Sequence, residues 1–321
     1  MEKNLYIDAS HPDETRVVLK SENHIEEYEY ENKNKLYLKN NIYLGKISRI
    51  EVSLQAAFVN FGRQRHGFLP FTDIQSDYYQ IPRSDLEIIK QEEEKVREKL
   101  QKESQQQEEK NLDEGNLDSN DPVEKNPEQI KIEENKKDEN KYRSKRYKIQ
   151  EVIKPNQVIL VQILKDERGQ KGAALTTFIS LAGKYSVLMP NTPKGGGISR
   201  KIINSDDRKK IRSILKEIKI PENMGLIVRT AGLNKTKNEL NKDILNTISV
   251  WEEIKVRAIK SIAPALVHEE GDIIKRALRD IFDSETRNLI VEGNEGYQKA
   301  KVFMKLLMPE NIKKIKKYRG K

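Results

Sequence analysis

The chain has 321 residues, a net charge of +9 and no cysteine. The lack of cysteine excludes disulfides, thiol catalysis and cysteine-ligated zinc. No apolar run reaches the roughly 18 residues of a membrane span, and the first residues lack the apolar segment of a signal peptide. The sequence therefore predicts a soluble, cytoplasmic protein, and its length allows two or three domains.

The charge is distributed unevenly along the chain. Residues 85–140 hold 19 acidic and 10 basic side chains and no aromatic one, so the remaining residues carry a net charge of +18. Such a segment cannot bury enough apolar surface to offset its ordering entropy. We predict a disordered charged insertion over residues 84–147, with a charged helix over Leu86–Leu100. The basic remainder predicts a polyanionic ligand, with a solvated lysine-rich surface as the alternative.

The first predicted elements are strands. Leu5–Asp8, Thr15–Leu19 and Ile25–Tyr30 alternate apolar with polar residues or form short apolar runs. Five more short strands with glycines at their bends follow, at 41–50, 56–62, 66–70, 157–163 and 172–177. Five short strands of this kind are typical of a small OB-type β-barrel.

Beyond residue 180 the apolar residues recur with the spacing that is typical of helices. Ser205 is predicted to be the N-cap of a helix that Pro221 ends, and apolar residues from Leu240 to Ala258 stripe one face of a long helix. The other predicted elements are a buried strand with a turn at 225–232, helices over Ile273–Phe282 and Gly296–Leu307, and a strand at Asn288–Val291. The predicted fold class is α+β, an OB-fold barrel joined to an α/β part.

Two phenylalanines are candidates for contact with nucleic-acid bases. Phe58 and Phe61 lie three apart in one strand and so point to opposite faces. Phe58 can therefore share an outer face with Phe68 while Phe61 packs inside, where exposed rings would stack on bases. The alternative is that both rings belong to the core. Cations that can line a phosphate track around the rings are Lys46, Arg49, Arg63, Arg65, Lys165 and Lys171.

Two further segments are candidate anion sites. Gly195–Gly197 lacks the Gly-Lys-Ser/Thr ending of a Walker loop, and we interpret it as a flexible turn, with Arg200 as a phosphate candidate. Arg229 and Thr230 end a predicted strand and form a plausible anion site. The alternative for Arg229 is an ion pair with a core acid.

Long blocks of the sequence resemble a known family. They include Asn41-Ile-Tyr-Leu-Gly-Lys-Ile-Ser-Arg-Ile, Ala56-Ala-Phe-Val-Asn-Phe-Gly and Gly225-Leu-Ile-Val-Arg-Thr-Ala-Gly, and others lie at 66–70, 167–177, 179–183, 187–191 and 196–200. In their order and content the blocks resemble the ribonuclease E/G endoribonucleases. The resemblance implies that Phe58, Phe68 and Lys171 contact RNA, with Lys165 close by.

The same resemblance implies a pocket for a 5′-monophosphate. Its residues would be Gly183, Val187, Arg229 and Thr230, and a guanidinium suits this role because its planar fork grips phosphate. It also implies a division into a ribonuclease-H-like subdomain in two pieces (1–38 and 237–321), an OB-fold barrel in two pieces (39–83 and 148–178) and a 5′-sensor region (179–236).

The catalytic part of the family is not recognisable in this sequence. Family members cleave RNA with Mg²⁺ held by two aspartates of a DNase-I-like domain, but the Ile-Asp-Ile-Asn, Ile-Asp-Phe-Ile-Asp and Cys-Pro-x-Cys blocks do not occur. We therefore expect no cofactor or metal here and no cleavage by this chain alone. The expected partners are single-stranded RNA and either a separate catalytic-domain chain or other RNA-decay proteins.

Two other readings remain open. One is a non-catalytic RNA-binding adaptor in rRNA processing or ribosome assembly. The other is an enzyme that uses carboxylates of the ribonuclease-H-like part, for which the candidates are Asp8, Asp280, Asp283 and Glu292; ordinary surface acids are the expected explanation of these four.

Overall fold

The computed structural model describes residues 3–22, 24–32, 38–92, 95, 147–169, 171–192, 196–218, 220–221, 223–283 and 285–320. The predicted insertion therefore lies almost entirely outside the described residues. At its start, residues 83–92 are helical, and the part of the predicted charged helix beyond residue 95 lies outside the described range.

The described residues form the following elements. The strands are β1 (Lys3–Asp8), β2 (Glu14–Ser21), β3 (His24–Asn32), β4 (Ile42–Glu51), β5 (Ala56–Asn60), β6 (Gly67–Pro70), β7 (Val158–Lys165), β8 (Ala174–Thr176), β9 (Leu181–Ala182), β10 (Ser186–Met189), β11 (Gly196–Ile198), β12 (Gly225–Val228), β13 (Ala265–His268), β14 (Thr286–Glu292) and β15 (Ile315–Lys317). Besides the helical residues 83–92, the α-helices are α1 (Ile149–Val152), α2 (Ser205–Glu217), α3 (Lys237–Lys260), α4 (Ile273–Asp280) and α5 (Asn294–Leu307).

Strands β4 to β8 close into a barrel. The order is β4-β5-β6-β8-β7, and β7 pairs back onto β4. All of these pairings are antiparallel except β6 with β8. Alternate side chains fill the interior, where Phe61, Ile47 and Ile163 are buried, and β13 extends the sheet by pairing with the start of β4.

A second sheet joins the two ends of the chain. Its order is β15-β14-β1-β2-β3, in which β1 runs antiparallel to β2 and parallel to β14. Leu5, Ile7 and Leu289 from this sheet pack with α4 and α5 in one core. The amphipathic helices thus cover one face of the sheet and leave its other side chains on the opposite face.

A third, four-stranded sheet lies between the barrel and the terminal sheet. Its order is β11-β12-β10-β9, and its core contains Leu188, Val228 and residues of α2 and α3. Helix α3 begins with a capping box in which Thr236 and Glu239 satisfy each other's backbone N–H groups.

The predicted α+β class is confirmed. The structure has a closed five-stranded barrel, and it has helices where the spacing of the apolar residues along the chain changes.

Two local predictions were wrong. The N-cap of α2 is Asn204 and not Ser205, because Asn204 accepts a hydrogen bond from the Asp206 N–H at 3.0 Å. Gly196 and Gly197 belong to strand β11 and not to a turn, while Gly195 lies outside the described residues.

Candidate nucleic-acid interface

A row of side chains crosses the five strands of the barrel. In register, Arg49 of β4 pairs with Phe58 of β5, Phe58 with Phe68 of β6, Phe68 with Ala174 of β8, and Ala174 with Lys165 of β7. Cross-strand partners point to the same face of a sheet. The row therefore has two aromatic rings in the middle and a cation at each end.

The two rings contact each other on the half-buried face. Their centroids lie 5.9 Å apart at an interplanar angle of 70°, an edge-to-face arrangement. The Arg49 guanidinium lies 4.4 Å from the centroid of the Phe58 ring. Phe61 is instead 1% exposed in the barrel core, so the opposite orientations expected from the spacing are observed.

Further cations surround this row. Lys46, Arg65 and Lys171 are exposed, and a shallow cavity of about 480 Å³ beside Phe58 is lined by Arg49, Arg65 and His66 among others. Lys171 is held by a tight turn in which it exchanges backbone hydrogen bonds with Arg168 at 3.0 and 3.2 Å. Together with Arg49 and Lys165, these side chains make one side of the barrel strongly basic.

Glycine 172 allows this turn to lie against the barrel. A Cβ on Gly172 would come within 2.0 Å of the His66 carbonyl oxygen, so a larger residue would push the turn and Lys171 outward. The Arg65 guanidinium also donates to the Gly169 carbonyl on the same turn. The position of Lys171 relative to the rings is therefore fixed from both sides.

The four residues proposed for the 5′-phosphate pocket lie in or next to strands β10 and β12 of the third sheet. Gly183 is in the turn between β9 and β10, Val187 is in β10, and Arg229 and Thr230 follow β12 directly. The Arg229 Nη1 donates to the Gly183 carbonyl at 3.0 Å. Thr230 is exposed and Val187 is half-buried. The structure thus joins Arg229 to Gly183 and leaves Thr230 open to solvent.

Arg229 also forms an ion pair with an acid of the terminal part. Its Nη2 lies 2.6 Å from Asp280 Oδ1 at the end of α4. Asp280 in turn accepts hydrogen bonds from Arg279, whose Nη2 lies 2.7 Å from Asp280 Oδ2, and Arg279 pairs with the buried Glu270. Arg229 therefore pairs with an acid, but Asp280 is exposed and is not the core acid of the alternative interpretation.

This network lowers the pKa of Asp280. Burial would raise it, but hydrogen bonds and charge from Arg279, then Arg229, outweigh that effect. Glu270 is itself fixed, because its backbone N–H donates to Asn41 Oδ1 at 2.9 Å. Asp280 is therefore a permanently ionised partner of Arg229 at neutral pH.

A buried carboxylate holds the turn that carries Gly183. Asp243 of α3 accepts hydrogen bonds from the backbone N–H groups of Lys184, Tyr185 and Ser186 at 2.9, 3.1 and 3.0 Å, and from the Ser186 hydroxyl at 2.8 Å. A Cβ on Gly183 would lie 2.6 Å from Asp243 Oδ2. The turn can approach this carboxylate so closely only with glycine at that position.

Lys184 connects the same turn to α4. Its Nζ donates to the carbonyls of Leu278 at 3.1 Å and Arg279 at 2.9 Å, and also to the carbonyl of Phe282. These are the free carbonyls at the C-terminus of the helix, where a cation is favourable. Burial lowers the pKa of Lys184 to about 8. The third sheet is thus joined to the helix that carries Asp280.

A large cavity opens beside Thr230. Its volume is about 970 Å³, and its lining includes Lys184, Tyr185, Lys235 and Asp280. The Lys235 ammonium lies 5.0 Å from the centroid of the Tyr185 ring. Cations and acids of the two parts of the chain therefore face each other across this cavity.

Three of the four carboxylates considered for a ribonuclease-H-like site have other partners. Asp8 accepts from Ser10 Oγ at 2.6 Å, Asp283 accepts from the N–H and Oγ1 of Thr286, and Asp280 binds the two arginines. Asp8 and Glu292 are neighbours on parallel strands. Within the described ranges, no group of three or more His, Asp or Glu is arranged to hold a metal ion.

Comparison with known proteins gives the family. A sequence profile of the ribonuclease E/G family matches residues 180–321. The chain is 34% identical over 318 residues to ribonuclease E of Haemophilus influenzae and 35% identical over 319 residues to ribonuclease E of Escherichia coli, covering 99% of this chain in both cases. The chain belongs to the ribonuclease E/G family.

The chain spans only part of its ribonuclease E/G relatives. It covers 28% of the Haemophilus influenzae protein and 24% of the Escherichia coli protein. It covers 63% of a putative ribonuclease E from Buchnera aphidicola subsp. Baizongia pistaciae, to which it is 33% identical. Among the described residues of this family member, no helix is both long and apolar enough to cross a bilayer.

Sequence reasoning missed the residues that hold the phosphate candidates in place. Asp243 had one usable signal, since it is an acid on the apolar stripe of α3, three residues after Leu240 and one before Ile244. An unpaired acid is rare in such a position. Lys184 had no comparable signal, because its partners are backbone carbonyls, and the local sequence does not indicate that Arg279 pairs with both Asp280 and Glu270.

Proposed function

We propose that this chain binds single-stranded RNA across the barrel and holds a 5′-monophosphate at Arg229 and Thr230, as part of a ribonuclease E/G protein that acts in RNA processing and mRNA decay. The observation that carries the proposal is the row from Arg49 through Phe58 and Phe68 to Lys165. Rings that stack on bases, flanked by cations that bind phosphates, are what single-strand binding requires.

The barrel topology supports an OB-type assignment. Five strands in the order β4-β5-β6-β8-β7, with one parallel contact and with closure through β7 and β4, suit the small Greek-key barrel that binds oligonucleotides on its strand face. The rings of Phe58 and Phe68 lie on the second and third strands of this barrel. That is the part of an OB fold on which nucleic acids usually lie.

Arg49 adds a second stacking surface. Because its guanidinium lies over the Phe58 ring, a base must either displace it or stack on its outer plane. Both aromatic rings and guanidinium planes serve as platforms for unstacked bases. The pair thus favours a strand whose bases are free, in preference to a duplex.

The 5′-end proposal depends on the free donors of Arg229. A guanidinium has five N–H donors, and in the described part of the chain two of them are engaged, one by Gly183 and one by Asp280. The others are available to a phosphate, and the exposed hydroxyl of Thr230 lies next in sequence. A terminal monophosphate offers three acceptor oxygens to such donors.

Replacing Arg229 by alanine tests this site. We expect wild-type protein to bind a 5′-monophosphorylated 10-mer more tightly than the same RNA with a 5′-hydroxyl, and Arg229→Ala to abolish that difference. General affinity should fall no more than about threefold, because the barrel contacts remain. Fluorescence anisotropy with a 3′-labelled RNA measures both constants. Arg257→Ala, which removes an exposed cation of α3, should keep the preference.

Salt dependence tests the barrel site. Each phosphate neutralised on a single strand contributes about −0.7 to the log–log slope of affinity against salt. The double variant Lys165→Gln/Lys171→Gln is therefore expected to make the slope shallower by about 1.4. The matched variant Lys301→Gln/Lys305→Gln, on the exposed side of α5, should leave the slope unchanged. Equal changes in both variants would contradict a phosphate track on the barrel.

Magnesium chemistry is not assigned to the described residues. The family resemblance implies Mg²⁺ held by paired aspartates, but the described carboxylates form no suitable set and Asp280 is already bound by two arginines. The residues present do not fit that ion. We propose that catalytic residues of the whole protein lie outside them.

A further inference from the structure

We propose that Asp280 is a built-in competitor for the 5′-phosphate: its carboxylate occupies the Arg229 guanidinium when no RNA end is bound and weakens the binding of an end. This inference rests on the proposed 5′-phosphate site and adds a residue that sets its affinity. The geometry that points to it is the 2.6 Å contact between Arg229 Nη2 and Asp280 Oδ1.

Asp280, the proposed competitor, is held in place by its neighbours. Asp280 is held by Arg279 through three contacts, from Nε at 3.2 Å to both oxygens and from Nη2 at 2.7 Å. Arg279 is only 9% exposed and pairs with Glu270, which is also buried. Such bidentate pairs have a fixed geometry. Asp280 therefore stays at the end of α4 whether or not Arg229 remains on it.

Arg229 is the mobile member of the pair. Its side chain and that of Asp280 are 28% and 34% exposed, so a ligand from solvent can reach the contact. Apart from Asp280, the described part of the chain holds Arg229 through one hydrogen bond, to the Gly183 carbonyl. A phosphate can thus replace the carboxylate on the guanidinium without disturbing the buried Arg279–Glu270 pair.

Charge explains why this contact lowers affinity. Arg229, Arg279, Asp280 and Glu270 form a group of two cations and two anions, so the charge of Arg229 is already balanced within this group before an anion arrives. A terminal monophosphate carries about 1.5 to 2 negative charges at neutral pH. It must compete with the Asp280 carboxylate for the Arg229 guanidinium and then remain close to that carboxylate, and both effects oppose binding. A 5′-hydroxyl end lacks this charge, so neither effect weakens its binding.

The decisive experiment compares Asp280→Asn with wild type. Asparagine keeps an acceptor oxygen for Arg279 and removes the charge. We expect the affinity for the 5′-monophosphorylated 10-mer to rise about tenfold, the effect of one anion a few Å from a dianion after solvent screening. The affinity for the 5′-hydroxyl 10-mer should stay within about twofold. Asp280→Ser should behave alike and serves if the asparagine variant does not fold.

Two controls separate competition from a general charge effect. Glu27→Gln removes an acid that lines the same cavity but forms no ion pair with Arg229 in the described part of the chain. This variant should leave both affinities within about twofold. In the double variant Arg229→Ala/Asp280→Asn the gain should disappear, because two residues that act through one contact are not additive.

Each outcome has one meaning. A loss of monophosphate affinity in Asp280→Asn, an equal gain for both RNAs, or a gain that survives in the Arg229→Ala background would overturn the competitor role and leave the 5′-phosphate site intact. A wild-type protein that binds both RNA ends equally would instead overturn the proposed site, and this inference with it.

Discussion

The double variant Phe58→Leu/Phe68→Leu is expected to bind a single-stranded 10-mer at least about 30-fold more weakly than wild type. Each aromatic–base stack contributes about 1–3 kcal/mol, so two stacks contribute about 2 kcal/mol or more. Leucine preserves much of the apolar packing of these half-buried positions but cannot stack. Anisotropy titration at constant salt measures the loss, and both 5′-end forms of the RNA should lose equally.

A matched control keeps this result specific. Tyr28 is 58% exposed on β3 in the terminal sheet, and Tyr28→Leu removes a comparable ring outside the barrel. It should change affinity less than about twofold. If the double variant binds as wild type while its far-ultraviolet spectrum remains native, the rings do not stack on RNA.

Replacing Asp243 by alanine is expected to cause the largest loss of stability. Three backbone N–H groups and the Ser186 hydroxyl would lose their acceptor inside the protein. A buried donor without a partner costs about 1–3 kcal/mol, so a total above about 3 kcal/mol is expected. Trp251, the only tryptophan, is nearly buried in the same core, and its fluorescence during urea unfolding reports this loss directly.

The same variant should also affect the RNA end. Without Asp243 the turn around Gly183 is no longer fixed, and the carbonyl that orients Arg229 moves with it. Below the unfolding transition, Asp243→Ala should therefore reduce the preference for a 5′-monophosphate while binding through the barrel persists. Glu252→Ala on the exposed side of α3 is the control. A denaturation midpoint like that of wild type would show that these bonds add little.

The barrel was predictable because its signals are local. Short β-rich runs ended by glycines placed the strands, and the spacing of Phe58 and Phe61 predicted that their rings point to opposite faces. The alternation of apolar and polar residues in the first three strands and the apolar stripe of α3 were equally clear in the sequence. In each case neighbouring residues alone carried the information, and the resemblance to the family supplied the candidate roles.

Other features depend on distant residues. The Arg229–Asp280 pair joins positions 51 residues apart, and no local pattern indicates which acid an arginine will meet. Strand β15 has only Ile315 buried between lysines, so it resembles a charged tail until β14 is known to lie beside it. The N-cap was misplaced by one residue because Asn204 and Ser205 are both good caps.

The central position of β1 has a consequence for synthesis of the protein. This strand is synthesised long before its parallel partner β14, which begins at Thr286. At about 5–20 residues per second, roughly 15 to 60 seconds separate the two strands. During that interval one edge of β1 lacks its partner, and Leu5 and Ile7 lack the helices that cover them. Nascent chains are therefore exposed to mispairing at β1.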